Sequence, residues 1–555
     1  MDRDISLLKL NFKLFKKEII MIEKEKIKKI LTNKIFIISF VIILLSIIIF
    51  GIYRIFNKKN NIESNTDNNI ESKENVIMAM GADIHGFDPC KKENTSTAYG
   101  DIYFNIVHDK LLILDENKNL KPQLLKELPQ KEGKILKCEL KDNIFFHNNK
   151  KMTTEDVIFT IRKGKQQQHE QFLQIDDIEK IDDLKFKIKL KEDVLFWHFP
   201  FTWFIRIINK EATEKNESEG VKIGAGAYKL TNYIPNKELQ LELFDKYHDQ
   251  DIIENSPKKI KFKISKDSNT LFQELETKQV NAMLYYPPTE IQNLKDDLKN
   301  KKYKNIEILE HERATQSYIY FNKQKTNENV RKIIAKSLDI QKIIDELELP
   351  GTIAKSAFHN KLIGHNPSIN YHQHDIKSAK QEVQRLRPED KNLKIAIGKN
   401  KTSFHDKIIE QLRYVGFETN LDEPEWKTFL ANSTKGEQSP YNFVFLAENF
   451  EMKYAHKYIE DYFKSTNNES NFFGIDEADK IDIEDKLTKA KSSTDLTEYE
   501  SLLKGIEQYL YNKHYLFPLK TEKSFILVNK EIEKGFEQDE FSRFFNMRSI
   551  QYKKE

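Results

Sequence analysis

An α/β architecture preceded by one transmembrane helix is the fold this sequence predicts, and three observations predict it. The 555 residues exceed what one hydrophobic core sustains, so two or three domains are expected. Ile35 to Tyr53 read IFIISFVIILLSIIIFGIY, an apolar run without a charge. From Val76 onward, short alternating strand patterns and longer amphipathic helix patterns follow one another.

The apolar run of about 19 residues matches the ~20 needed to cross the hydrocarbon core of a bilayer. Lys24, Lys26, Lys28, Lys29 and Lys34 precede it, against Arg54, Lys58 and Lys59 after it. That asymmetry places the N-terminus in the cytoplasm and everything after Phe56 on the far side. Neither an A-x-A cleavage site nor a lipoprotein cysteine follows the run, so an uncleaved anchor is expected over a removed signal peptide. Residues 1–34 are then a cytoplasmic basic segment, 35–56 the anchor and 57–75 a flexible linker, NKKNNIESNTDNNIESKEN, with almost nothing apolar to bury. The stretch KLNFKLFKKEII is basic and amphipathic and suits the inner leaflet; Met21, just after it, is the alternative start to Met1.

Composition excludes some classes of function. Lys+Arg 90 nearly cancels Asp+Glu 87, leaving a net +3, which gives no nucleic-acid footprint. The two cysteines, Cys90 and Cys138, are too far apart in sequence for a zinc knuckle or a redox pair, and stand either as one disulfide or as two buried thiols. Neither a Gly-x-Ser-x-Gly elbow, a His-Glu-x-x-His motif nor a Walker loop occurs, so no catalytic residue is assigned and an enzyme is not expected. His365, His372 and His374 cluster in GHNPSINYHQHD without a supporting carboxylate or cysteine pattern; neither a metal site nor a cofactor is expected.

Strand candidates are Ile135 to Leu140, Lys185 to Leu190, Tyr228 to Tyr233, Leu239 to Phe244, Ile260 to Ile264, Tyr318 to Phe321, Leu393 to Ile397 and Asn442 to Leu446. In MTTEDVIFTIRK, Thr153 and Asp156 have the spacing of a capping box, which predicts a helix start. Further helices are expected over NENVRKIIAKSLDIQKIIDEL, SFHDKIIEQLRYVGF and TEYESLLKGIEQYLYNK. Between Ile223 and Phe244 two alternating strands flank a Pro-Asn-Lys turn, a hairpin. Gly224 and Gly226 lack the third glycine and the following helix that a phosphate loop requires.

Several segments, in order, resemble extracytoplasmic solute-binding proteins of peptide-type ABC importers, family 5, the oligopeptide- and dipeptide-binding branch. They are GFDP (Gly86 to Pro89), DKLLILDENKNLKPQLLKEL, KCELKDNIFFHNNKKMTTEDVIFTIR, GAYKL (Gly226 to Leu230), FNKQKTNENVRKIIAKSLD, EWKTFL (Glu425 to Leu430) and LFPLKTEKSFILV. Together they span nearly everything from residue 80 to 540. The resemblance implies a two-lobed clamshell of the periplasmic-binding-protein type (type II, with an extra small domain). Domain I would comprise 76–98, 217–309 and 521–555, domain II 99–216, and domain III 310–520. It implies a monomer that captures oligopeptides between the lobes through main-chain hydrogen bonds and delivers them to a permease. Relatives of the same fold carry nickel complexes or haem, so another small solute is the alternative, as is an envelope protein without a transport role.

Such peptide binders hold the ligand's amino terminus with the aspartate of a Trp-x-Ala-Asp-Tyr run. NFVFLAENFE matches it with Phe445 at the Trp, Ala447 at the Ala, Glu448 at the Asp and Asn449 at the Tyr. A carboxylate there suits a ligand ammonium, the alternative being a solvated surface acid. Phe445 lines a neighbouring pocket or packs in the core. Glu93 falls in a loop that offers contacts to peptide, and Asn442 near a position where relatives carry arginine. Trp426, within EWKTFL, reads as packing, with lining the cleft as its alternative. Asn449 and Asn442 depart from the family's pattern and leave room for an altered ligand class.

Overall fold

A computed structural model of the chain describes residues 74–552 apart from 96, 116–118, 399–400, 451–454, 464–473, 476 and 537–549, together with residues 21, 23 and 24. The chain divides into two units, Met1–Lys73 and Glu74–Glu555. The expected membrane span and most of the expected linker lie outside the described residues. Among the described residues no helix is long and apolar enough to cross a membrane.

The second unit is built on a ten-stranded sheet. In chain order its strands are β1 (Asn75–Met80), β2 (Tyr228–Ile234), β3 (Glu238–Leu243), β4 (Lys259–Ile264), β5 (Ala282–Met283), β6 (Ile306–Phe321), β7 (Asn392–Ile397), β8 (Glu418–Asp422), β9 (Phe443–Asn449) and β10 (Leu516–Asn529). Their spatial order is β8-β7-β9-β6-β10-β5-β1-β4-β3-β2. Strand β1 begins at Asn75, inside the expected linker. Its sequence NVIMAM is apolar on both faces: Val76, Met78 and Met80 enter one hydrophobic cluster and Ala79 another. A strand covered on both sides reads as a continuous apolar run. Strand β3, ELQLEL, instead alternates and buries only its leucines.

The β2–β3 hairpin turns through Pro235, Asn236 and Lys237, with Asn236 in the left-handed region at φ 55° and Lys237 N–H donating to the Ile234 carbonyl at 3.0 Å. Gly224 is required by close backbone approach: an added Cβ would lie 1.8 Å from the Val107 carbonyl oxygen.

The helices that bear on the site are α1 (Lys92–Thr95), α2 (Ala98–Val107), α3 (Thr154–Gln166), α4 (Glu170–Leu173), α5 (Glu328–Ser337), α6 (Ile340–Glu346), α7 (Ser403–Val415), α8 (Trp426–Ser433), α9 (Ala455–Phe463), α10 (Glu477–Ser492) and α11 (Leu496–Lys513), with other helices, among them Ser268–Glu276, Ile291–Lys299 and Ile376–Gln384, between them. The capping box of α3 forms, Thr153 N–H donating to the Asp156 carboxylate at 3.0 Å. The single helix expected over NENVRKIIAKSLDIQKIIDEL is two. Leu338 is extended, and the Asp339 side chain caps α6 by accepting from Lys342 N–H. A good local cap outcompetes continuation of the helix.

A separate four-stranded sheet orders Gln130–Glu132, Ile135–Glu139, Lys185–Leu190 and Ile175–Lys180. Cys90 and Cys138 lie in its core as free, buried thiols, which settles the two readings left open above. Burial pushes the Cys138 thiol up to about 12 and Cys90 also well up.

The buried apolar residues form separate clusters. One runs from Ala314 to Leu519. Another combines residues of β1, α2 and β2 to β4 with Ile526 and Val528, and a smaller one joins Ala79, Leu271, Ile306 and Phe525. A further cluster spans Cys90 to Ala225. Strands β6 and β10 run through the boundary between the first of these and the next two.

Candidate functional site

The register of β6 and β10 fixes the geometry of the site. Ile306–Glu312 pair with Asn529–Lys523, and Tyr318–Tyr320 pair with Pro518–Leu516, so the two strands form one antiparallel ribbon. Between Glu312 and Gln316 the register shifts, leaving Arg313, Ala314 and Thr315 opposite Glu522 alone, and a second shift follows before Tyr318. Such bulges bend a strand and interrupt its ladder.

Strand β9 is antiparallel to β6 and β7 is parallel to β9, so both run toward the middle of this ribbon. On the other side β5 is antiparallel to β10 and β1 is parallel to β5, so these also end facing the ribbon's middle. Two sets of strand carboxyl ends therefore face the same bulged segment from opposite sides. Crevices outside such carboxyl ends are where open α/β sheets bind ligands.

On the β9 side, Phe445 is 4% exposed and sits in the core against His405, with ring centroids 4.9 Å apart. Ala447 is exposed and pairs with Ser317. Glu448 pairs with Gln316, is half-buried, and accepts a hydrogen bond from Tyr320 Oη at 3.3 Å. Tyr320 Oη also bonds Tyr458 Oη of α9. Burial, together with the charge of Glu448, raises the pKa of the neighbouring Tyr318 phenol. A carboxylate at the strand end is thus backed by a cluster of phenols. Asn449 is exposed and its Oδ1 accepts from Thr315 Oγ1 at 2.7 Å.

Asn442 lies at the opposite end of the strand from Glu448. Its Oδ1 accepts from Lys394 N–H at 2.8 Å and its Nδ2 donates to the Lys325 carbonyl at 2.9 Å, so it ties the start of β9 to its neighbours. Trp426 is 42% exposed and stacks on Phe429 at 5.3 Å on the first turn of α8.

On the β1 side, the chain leaves the strand at Gly81, whose N–H donates to Tyr99 Oη at 2.9 Å. Asp83 is used internally, its Oδ2 accepting from Tyr233 Oη at 2.9 Å and from Asn236 N–H at 2.6 Å. Glu93 is exposed on α1. Tyr285, just beyond β5, is 44% exposed; burial raises its phenol and the nearby Arg313 opposes the shift.

Of the expected residues, the structure brings Ala447, Glu448 and Asn449 together at one strand end and leaves Asn442 and Phe445 apart from them. Sequence reasoning missed Tyr320 and Tyr458, the support of Glu448. The alternation of Tyr318 and Tyr320 in SYIYF was the available signal for the first. Nothing local marks Tyr458.

The histidines of GHNPSINYHQHD have structural partners: His372 Nε2 bonds the Ala354 carbonyl at 2.8 Å, and His365 Nδ1 bonds Ser356 Oγ at 3.0 Å. Among the described residues no group of three or more metal-ligating side chains could hold a metal ion.

A cavity of about 620 Å³ lies beside this region, between Glu170–Phe199 on one side and α9 to α11 on the other.

Two facing sets of strand carboxyl ends, joined by a pair of crossing strands, define an α/β two-domain fold of the periplasmic-binding-protein class. Comparison with known proteins gives the family. The chain belongs to the bacterial extracellular solute-binding proteins, family 5, whose middle-region profile matches residues 119–470. The oligopeptide-binding protein AppA of Bacillus subtilis is 24% identical over 266 residues, covering 44% of this chain and 46% of AppA. The match thus spans less than half the length of that curated relative. Among solved structures, the ABC transporter substrate-binding protein CtaP of Listeria monocytogenes superposes with a TM-score of 0.72 at 18% identity, covering 86% of this chain and 99% of CtaP. The periplasmic binding protein DppA of Helicobacter pylori, in complex with the peptide STSA, gives 0.64 at 18% identity over 87% and 99%.

Proposed function

We propose that this chain is the extracytoplasmic substrate-binding component of an ABC importer, which captures oligopeptides between two lobes and passes them unchanged to a membrane permease. The observation that carries this reading is Glu448, a carboxylate at the carboxyl end of β9, held by Tyr320 and facing the bulged crossing strands. An ammonium gains a charge-assisted bond there, while exposed backbone at the facing strand ends suits an extended main chain. Family membership and the relatives' peptide ligands support the same reading.

On this reading 76–98, 217–309 and 521–555 form domain I, 99–216 the small domain II and 310–520 domain III. Ala447 and Asn449 border the peptide next to Glu448, and Glu93 meets it from α1. Phe445 and Asn442 act behind the surface, by packing and by bracing β9, and Trp426 presents its ring near the rim. The apolar run Ile35 to Tyr53 anchors the protein in the cytoplasmic membrane with its N-terminus inside, and the protein works as a monomer.

Calorimetric titration of the full-length protein in detergent with tetra-alanine tests this. Saturable binding is expected, with the peptide recovered intact by mass spectrometry. Glu448→Gln is expected to weaken tetra-alanine about tenfold and N-acetyl-tetra-alanine little, the cost of a lost charge-assisted bond. Cleavage of the peptide, or equal losses for both ligands, counts against the reading. Intact residues 1–56 in protein extracted from membranes test the anchor.

A further inference from the structure

The cavity of about 620 Å³ is lined by none of the residues assigned above to the peptide site, and its size lies within the ~300–1,000 Å³ of small-ligand pockets. One wall is the segment leading out of the four-stranded sheet, with Phe196 and Trp197. These consecutive side chains divide between two cores: Phe196 packs against the Ala314–Leu519 cluster and Trp197 against the Cys90–Ala225 cluster. The other wall is α9 with α11, where Tyr499 meets Phe196 edge-on at 4.9 Å and its hydroxyl bonds His456 Nδ1 at 2.6 Å. Anything seated here touches both cores at once.

The charges around the cavity are largely spent. Lys491 pairs with Glu460 at 2.5 Å, and Glu170 pairs with Lys92 at 3.3 Å. The other acidic and basic lining residues, Lys191 and Glu192, are exposed and of opposite sign, so they favour neither charge of guest, whereas a ring buries its area against Phe196 and Trp197. One polar atom is left over. Gln171 lines the cavity, is 2% exposed, and its Oε1 has no hydrogen-bond partner. A buried amide oxygen in that state costs stability until a donor reaches it.

The cavity also adjoins both sides of the proposed cleft. On α9, Tyr458 is bonded to the Tyr320 that holds Glu448, while His456 and Glu460 of the same helix line the cavity. On α1, Lys92 precedes Glu93 and pairs with the lining residue Glu170.

We infer that this cavity is a specificity subsite for a tyrosine or tryptophan side chain of the bound peptide, its ring held by Phe196 and Trp197 and its O–H or N–H donated to Gln171. This rests on the peptide reading above, and names the side-chain class which that reading leaves open.

The test is a tetra-alanine set, bound to the full-length protein, in which each position in turn carries Tyr, Trp, Lys or Glu. At one position Tyr and Trp are expected to bind about tenfold more tightly than Lys or Glu, the scale of a well-packed aromatic contact. Phe196→Ala is expected to abolish that preference while leaving tetra-alanine within about twofold, and Gln171→Leu to reduce it while sparing a phenylalanine peptide. Tetra-alanine binding with no positional preference, or a preference unchanged in Phe196→Ala, overturns the subsite. If no peptide binds, the peptide reading fails. N-acetyl-tyrosinamide then decides the cavity by itself: saturable binding lost in Phe196→Ala keeps it as an aromatic site, and none sinks it.

Discussion

The Tyr320 hydroxyl reaches Glu448 at 3.3 Å although the cross-strand partner of Tyr320 is Val444, four residues back along β9. The ring therefore lies along the strand toward its carboxyl end, and the donor approaches the carboxylate from the protein side. Removing it in Tyr320→Phe is expected to cost about 1 kcal/mol of affinity for peptides with a free amino terminus, a typical hydrogen-bond increment. N-acetylated peptides should lose little. Calorimetry with the paired ligands reads the difference.

Asp479, on α10, accepts from Tyr509 and Tyr515 and pairs with Lys323 at 2.6 Å. Burial raises its pKa, but these bonds outweigh it and hold the carboxyl well below the usual range. A depressed carboxylate contributes stability above its unfolded pKa and loses it as pH falls toward the folded value, so its contribution is intact at neutrality and fades below about pH 4. Asp479→Asn is expected to lower stability at pH 7 by on the order of 2–3 kcal/mol, measured by urea unfolding.

A different window belongs to buried histidines. Burial lowers His108 to about 3 and His147 to about 4, with Arg206 reinforcing the shift at His108 and the Gly226 carbonyl opposing it at His147. The unfolded chain binds protons that the folded chain refuses, so stability is full above roughly pH 6.5 and falls as pH is lowered from there. Each group contributes on the order of 2 kcal/mol to that loss by pH 5. Thermal unfolding between pH 7 and pH 5 is expected to show a falling midpoint, and His147→Gln a shallower fall.

The thiols should be silent. Cys138 is pushed up to about 12 by burial and Cys90 is raised as well, so little thiolate exists at neutral pH. Iodoacetamide is expected to add nothing to the native protein and to modify both residues after denaturation, counted by intact mass.

Strands β3 and β4, with apolar residues at period two, were legible in the sequence, whereas β1 and β10, buried along most of their length, were not among the expected strands. Strand β5 is two residues long, and β8, ETNLD, carries little apolar signal; each exists because a neighbour offers a ladder, which no local pattern encodes. The break between α5 and α6 was readable in principle, since Asp339 is a good cap. Glu448 was found through a family resemblance. Its phenolic support, and the meeting of Phe196 with Tyr499, join residues far apart in the chain, so only the fold reveals them.

Because β6 and β10 are hydrogen-bonded to each other on both sides of the bulge, the halves of the sheet share a twisted ribbon and not a pair of slack tethers. Strand β9 joins the ribbon on one side of the bulge and β1, through β5, on the other, so a change of pitch at the bulge would tilt one set of strand ends against the other. On the reading proposed above, a guest bridging the gap would fix the angle between the outer faces, so a membrane partner would sense it without touching it.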